Sequence, residues 1–516
     1  MKKIAKVFSA ATLGLEAYPV EVEVDVGAGL PSFSIVGLPD KAIDEAKERV
    51  RAAINNSEMK FPDHRLTVNL APADIKKEGP SYDLPIAVGI LLAGEQIDNQ
   101  ILKAAKSKNY LDQALFVGEL SLNGEVRRIN GVLPITLMAR DLGFASIFVS
   151  EENAMEASMV DGIEVFAVHN LKDLVLYFRG EKKIEPHVHD PEVFNEKVDY
   201  EYDFAFVSGQ DQAKRALEIA AAGGHNVLLS GPPGSGKTLL SKSFPSILPE
   251  LDYDETVEMT KIYSVAGMLS GNKLMKIRPF RSPHHTTSNI ALIGGGQWPH
   301  PGEISLAHRG VLFLDEFPEF SRSVLEALRQ PLEDGVVTVS RATGSLTFPA
   351  QFILIAAQNP CPCGYLTDPD HRCLCSPTQV MRYQKKISGP LLDRIDIHIE
   401  VPRLKFEKMD EKLNAEKSEV IRDRVNGARK IQLDRFKGRI KTNAEMRSKD
   451  IKEYCDLNEK AKELLKVAVN QYSLSARSYH KILKLARTIA DLDQSENITN
   501  DHILEALQYR PKEKTY

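Results

Sequence analysis

With 516 residues, 43% of them hydrophobic and 27% charged, the chain is long enough for about three ordinary domains with real hydrophobic cores. Its formal net charge of −5 excludes a protein that is basic throughout and leaves nucleic-acid binding to a local face. No apolar run approaches the roughly 20 residues of a membrane span, and Met1-Lys2-Lys3 leads into no apolar signal region, so the sequence predicts a cytoplasmic protein without a membrane partner.

In chain order, Val20-Glu-Val-Glu-Val-Asp-Val26 alternates strictly, the signature of a half-buried strand. From Asp40, a candidate N-cap, the apolar spacing Ala42, Ile43, Ala46, Val50, Ala53, Ile54 fits an amphipathic helix. Strand and helix patterns mix as far as Phe148-Val149, which predicts an α+β domain over residues 1–180. Residues 181–203 are charged, contain Pro186 and Pro191, and read as a linker.

Two stretches of the first domain resemble Lon proteases. Lys76-Lys-Glu-Gly-Pro-Ser-Tyr-Asp83 is similar to the segment carrying the Lon nucleophile, and Val117 to Pro134 is similar to the segment supplying its lysine. The resemblance implies a Lon-protease-like, S5-type fold. A serine nucleophile needs a neighbouring base, however, and Leu133 stands where the family lysine aligns. Ser81 is then an ordinary hydroxyl unless Lys76 or Lys77 substitutes, and the domain is expected to be non-proteolytic.

The strongest signal is Asn226-Val-Leu-Leu-Ser-Gly-Pro-Pro-Gly-Ser-Gly-Lys-Thr238, an apolar strand, a glycine-rich loop and a helix start. Backbone N–H groups of Gly231, Pro232, Pro233, Gly234, Ser235 and Gly236, as far as each has one, would cradle phosphate oxygens. Lys237 would reach the β- and γ-phosphates of ATP and Thr238 would ligate Mg²⁺. Gly310-Val-Leu-Phe-Leu-Asp-Glu316 is a buried strand ending in two acids: Asp315 for Mg²⁺, Glu316 to polarise the attacking water. A second buried strand, from Phe352, ends in the polar Asn359, which resembles the sensor position of AAA+ proteins, where an amide reads the γ-phosphate. In Pro390-Leu-Leu-Asp-Arg-Ile-Asp396, Arg394 fits an arginine finger reaching a neighbouring subunit, which requires a ring or another head-to-tail oligomer.

These segments, with Arg281-Ser-Pro-His-His-Thr-Thr-Ser288 and Leu474 to Ala490, resemble the magnesium-chelatase branch of AAA+ ATPases, and over nearly the full length the YifB/ComM-type family. The resemblance implies an AAA+ P-loop core with a parallel sheet over 204–402 and a C-terminal helical lid over 403–516. It also implies that Arg477 is the second sensor, bonding the γ-phosphate in cis. The activity it implies is that of a hexameric helicase promoting branch migration as transforming DNA is integrated. A protein-remodelling or regulatory ATPase is the main alternative, ahead of a chelatase subunit or an ATP-dependent protease.

Cys361-Pro-Cys363, nine further residues and Cys373-Leu-Cys375 supply four thiols to a local Zn²⁺ site, with His371 able to replace one of them. Residues 421–441 carry eight Lys/Arg against two Asp, either a solvated helix face or a nucleic-acid contact. The stretch Asp334 to Phe348 reads as a β-hairpin, and the resemblance to helicases of this branch implies that Arg341, near its tip, is the basic residue that grips DNA phosphates. A glycine-rich insertion, Ile293 to Gly302, holds Trp298, which could stack on a base.

Overall fold

The computed structural model describes residues 4–37, 40–74, 77, 79–97, 111–188, 200–269, 275–296, 300–341, 344–404 and 416–511. The chain divides into two compact units: Met1–Glu196 with Tyr253–Met275, and Lys197–Asp252 with Lys276–Tyr516.

In the first unit, strands β1 (Ala5–Leu13), β2 (Glu16–Gly27), β3 (Ser32–Val36), β4 (Arg65–Ala71), β5 (Ala114–Phe116), β8 (Ser146–Ser150) and β9 (Glu164–Val168) form one sheet in the order β3-β4-β2-β1-β5-β8-β9. Strands β6 (Glu119–Leu120) and β7 (Val126–Arg127) pair separately. The alternation of β2 does what its pattern predicts: Val20, Val22 and Val24 are fully buried, with Val7, Leu66, Val68 and Leu70 from neighbouring strands. Asp40 caps the helix Lys41–Asn56, its Oδ1 accepting from Ile43 N at 2.9 Å.

The segment Tyr253–Met275, which the sequence reading left inside 204–402, packs with this first unit. Its helix Tyr253–Val265 lies on the helix Val132–Asp141, and the junction is both apolar and polar. Leu133, fully buried, clusters with Met159, Val160 and Val257. Beneath it, Glu156 accepts from Leu133 N at 2.8 Å and from Asn153 Nδ2 at 3.2 Å, and it bonds the hydroxyl of Ser264. Tyr253 Oη donates to Met159 O at 2.6 Å. Such long-range docking leaves no local sequence signature.

In the second unit, β10 (Val227–Ser230), β11 (Phe280–Arg281), β14 (Val311–Leu314), β17 (Ile353–Gln358) and β18 (Ile397–Glu400) form a fully parallel sheet, ordered β11-β14-β17-β10-β18. Its strands read as continuous apolar runs because both faces are covered. Two hairpins stand apart from it: β12 (Gly294–Gly295) with β13 (His300–Pro301), and β15 (Val336–Arg341) with β16 (Gly344–Pro349). Five helices of the C-terminal part, Ser418–Phe436, Ser448–Tyr454, Glu459–Gln471, Ala476–Leu492 and Asn500–Gln508, contribute buried residues to the same core as β10 and β17.

Leu133 is a core residue, so Leu133→Lys places an ammonium among Met159, Val160 and Val257. The expected cost is about 3–5 kcal/mol to the first unit, read as a lowered thermal midpoint and faster amide exchange in Tyr253–Val265, with no peptidase activity gained. Wild-type stability together with peptide cleavage would reverse this reading of the position.

Candidate active site

Strand β10 is the first strand of its sheet in sequence yet lies inside it, with β17 on one side and β18 on the other. Open α/β sheets bind ligands outside the carboxyl ends of their strands at such a reversal. The loop Gly231–Gly236 follows β10 there and leads into the helix Lys237–Ser243. Gly234 and Gly236 hold φ of +74° and +91°, the left-handed region that side chains resist. At Gly231 the reason is proximity instead: a Cβ would lie 2.1 Å from Val401 O.

The loop's polar groups converge. Lys237 Nζ donates to Gly231 O at 2.8 Å and Pro232 O at 2.9 Å, and it stands 3.4 Å from Asn359 Oδ1 at the end of β17. Burial lowers the pKa of this ammonium, with Asp315 opposing the shift. Thr238 Oγ1, in the first turn of the helix after the loop, donates to Asp315 Oδ2 at the end of β14 at 3.0 Å. Ser235 Oγ is buried and has no hydrogen-bond partner among the described residues. A backbone cradle, an unpaired buried hydroxyl, one ammonium and an all-oxygen Thr/Asp pair fit a polyphosphate with Mg²⁺. Such a complex, when bound, would supply the phosphoanhydride to be cleaved and a cation that Thr238 and Asp315 would hold.

Glu316 follows Asp315 with φ +52°, uncommon for a residue with a side chain. Its Oε2 lies 3.2 Å from His285 Nδ1, and the His285 ring meets His284 at 4.1 Å and the edge of Phe320 at 6.5 Å. Sequence reasoning singled out the stretch holding His285 only for its family likeness; a contact across 31 positions has no local signal. Gln210 Nε2 ties the phosphate loop to the segment after β18 through Ser235 O (3.2 Å) and Pro402 O (2.7 Å).

Arg394 donates through Nη1 to Pro390 O at 2.7 Å and pairs through Nη2 with Glu333. Arg394, and less strongly Arg477, holds the Glu333 carboxyl below its usual range. Arg477 is exposed near the start of the helix Ala476–Leu492, which Ser475 caps. The two arginines thus act on one carboxylate.

The four cysteines of 361–375 are free thiols whose sulfurs all lie within 4.8 Å of one another. Cys361, Cys363 and Cys373 sulfurs are 3.4–3.7 Å apart, too far for a disulfide and close to the ~3.8 Å edge of a tetrahedron with metal–sulfur bonds of about 2.3 Å. Burial pushes the Cys361 thiol up to about 12, while N–H donation from Tyr365 brings Cys363 down to about 6. His371 does not join them: its Nδ1 meets Arg403 Nη1 at 3.0 Å and Asp368 at 3.4 Å, and its ring stacks on Tyr365.

Arg341 is the last residue of β15, opposite Gly344, and Trp298 lies outside the described residues. Most of the basic stretch 421–441 is spent internally. Arg424 pairs with Glu218 and Glu416, Arg429 with Ala221 O, Arg435 with the fully buried Asp491 and Lys441 with Asp252, while Arg422 lies over Tyr200.

A parallel sheet of this order, with a phosphate loop, an acid pair and a polar residue on adjacent strand ends, defines a P-loop nucleotide-binding protein of the AAA+ class. Models of magnesium chelatase subunit ChlI match residues 203–409 and 22–153, and one of its C-terminal region matches 415–510. Competence protein ComM of Haemophilus influenzae is 44% identical over 510 residues, 98% of this chain and 97% of the relative. Protein YifB of Escherichia coli is 41% identical over 505 residues, 98% and 96% of the two chains. Lon protease 2 of Bacillus subtilis is 28% identical over 175 residues, 30% of this chain and 29% of that one. The chain belongs to the ComM/YifB-type magnesium-chelatase-like AAA+ proteins, a class that uses ATP and Mg²⁺.

Removing the imidazole that holds Glu316 should cost preorganisation and not nucleotide affinity. His285→Ala is expected to lower kcat for ATP hydrolysis about three- to tenfold with KM unchanged, and His285→Asn to restore part of it. An unaltered kcat would show the contact to be idle.

Proposed function

We propose that this chain is an ATP-hydrolysing motor that acts on DNA as a homo-hexamer in the cytoplasm, a helicase promoting branch migration during recombination of transforming DNA. The reading is carried by the β15–β16 hairpin, inserted between the acid-bearing strand β14 and the sensor strand β17 and ending its outgoing strand on Arg341. A basic residue on an element joined to both hydrolysis strands can grip a phosphate and move with the nucleotide cycle. Full-length likeness to a competence protein supports the cellular setting.

In this reading Lys237 neutralises the β- and γ-phosphates, and Thr238 and Asp315 hold Mg²⁺. Glu316 orients the water and Asn359 reads the γ-phosphate. Arg394 exchanges Glu333 for the γ-phosphate of the neighbouring subunit, and Arg477, on a C-terminal helical lid, senses the γ-phosphate bound by its own subunit. Trp298 stacks on a base. The first unit is a Lon-like module without protease activity, because Leu133 replaces the basic partner of Ser81. The ammonium of Lys77 is buried against Pro72 O. Cys361, Cys363, Cys373 and Cys375 hold a structural Zn²⁺.

ATPase rate measured against single-stranded, duplex and four-way-junction DNA tests the motor. Stimulation is expected to fall with salt and to drop at least fivefold in Arg341→Ala while the DNA-free rate holds. An active oligomer that no DNA stimulates would turn the search to a protein client. Mixing Arg394→Ala with Lys237→Ala subunits should restore part of the hydrolysis at hybrid interfaces; mixed rings without rescue would remove Arg394 from the site.

A further inference from the structure

The four-thiol site lies beside the phosphate loop, and the contact is closer than chance neighbourhood. Strand β17 ends at Gln358, Asn359 follows it, and the first thiol, Cys361, comes two residues later and is fully buried. Gly364 sits between the thiol pairs with φ +86°, its N–H closing a turn on Cys361 O at 3.0 Å. A Cβ there would stand 2.6 Å from Pro233 Cδ and 2.8 Å from Pro233 Cγ, and 3.8 Å from Asn359 Cγ. The turn therefore lies flush on the phosphate loop, and no residue with a side chain fits between them.

Residues 360–376 contain no helix or strand, so no ladder of backbone hydrogen bonds holds this turn in place. Among the described residues its bonds are local turns, such as Asp368 N on Tyr365 O at 3.2 Å, N–H donation to the thiols of Cys361 and Cys363, and a few side-chain contacts. Gln384 Nε2 donates to Pro360 O at 3.1 Å, and Asp368 Oδ1 accepts from Asp370 N and His371 N at 2.8 and 3.2 Å. With His371 engaged by Asp368 and Arg403, the groups that converge are the four sulfurs. One tetrahedral cation of thiolate preference supplies the missing order, as metals do for short segments without cores.

We propose, resting on the zinc reading above, that the tetrathiolate Zn²⁺ site is a working part of the nucleotide site: it sets the turn that carries Asn359 and presses Gly364 on Pro233. Metal occupancy then decides whether the γ-phosphate sensor and the phosphate loop are in register. Zn²⁺ acts through Asn359 and Pro233 as a positioning group, without an open coordination place and without touching the reacting atoms.

The experiment uses the full chain, with metal content by mass spectrometry and steady-state ATPase in parallel. One zinc per chain is expected as purified. Stripping zinc with a strong chelator, followed by exchange into chelator-free Mg²⁺ buffer, is expected to lower kcat at least tenfold and to raise KM for ATP. Zn²⁺ should restore both values and extra Mg²⁺ neither. Gly364→Ala, which leaves every thiol in place, should keep its zinc yet share the kinetic defect of Asn359→Ala. A zinc-replete Gly364→Ala chain with wild-type kcat and KM would overturn the coupling while leaving the metal site standing. An active wild-type chain without zinc would overturn the metal reading itself.

Discussion

Strand β10 is hydrogen-bonded along its whole length on both sides: Val227–Ser230 runs beside Ile355–Gln358 of β17 and beside Ile397–Glu400 of β18. The ladders continue into the loop, with Gly231 N on Gln358 O at 3.2 Å and Val401 N on Ser230 O at 2.8 Å. The start of the phosphate loop is thus clamped between two neighbours, and Gly231 has room for nothing but hydrogen where it passes Val401. Because β17 is one of those neighbours and β14 pairs with β17 in turn, Asn359 and Asp315 are carried to Lys237 and Thr238 by the same ladder. Strand register brings these residues within reach of one another, and their side chains close the distances to 3.4 Å and 3.0 Å.

Charge is distributed by a different logic. Asp491 is fully buried between Arg435 and Arg487, with Asn443 Nδ2 at 2.8 Å, so ions of the C-terminal helices satisfy one another. Losing one partner there would leave an uncompensated buried charge, which gives these arginines a packing role that their sequence density does not reveal. The basic face suggested by residues 421–441 is for the most part an internal brace, and Arg341 on its separate hairpin carries the weight of the DNA proposal.

How much could be read from sequence depended on range. The phosphate loop, the acid pair after β14, the alternation of β2 and the Asp40 cap are set by residues a few positions apart, and each stands where its pattern placed it. The four cysteines were legible for the same reason, whereas the engagement of His371 by Asp368 and Arg403, which takes it out of the ligand set, depends on the fold. Contacts closed by the fold were not legible. Nothing local in Tyr253–Met275 announces that Ser264 will meet Glu156, or that Val257 will cover Leu133. The Arg394–Glu333 pair spans 61 residues and belongs to the same class.

Glu316 shows how local strain and long-range pairing meet at one atom. A left-handed backbone costs a residue with a side chain about 1–2 kcal/mol, so the turn after β14 must be held from outside. Part of that hold is the 3₁₀ turn Phe317–Glu319, whose Glu319 N bonds Glu316 O at 2.7 Å. The carboxylate itself is met by His285, and His285 is placed by β11, which pairs with β14 at Phe280–Val311 and Arg281–Leu312. Arg281 is fixed in turn by a bidentate bond to Glu303 at 2.6 and 2.7 Å. Glu316 is therefore met from the side of the edge strand β11, while Asp315 beside it is met by Thr238. Two adjacent carboxylates at one strand end are thus fixed by different partners, Glu316 by His285 and Asp315 by Thr238, so a change at either partner acts on one acid first.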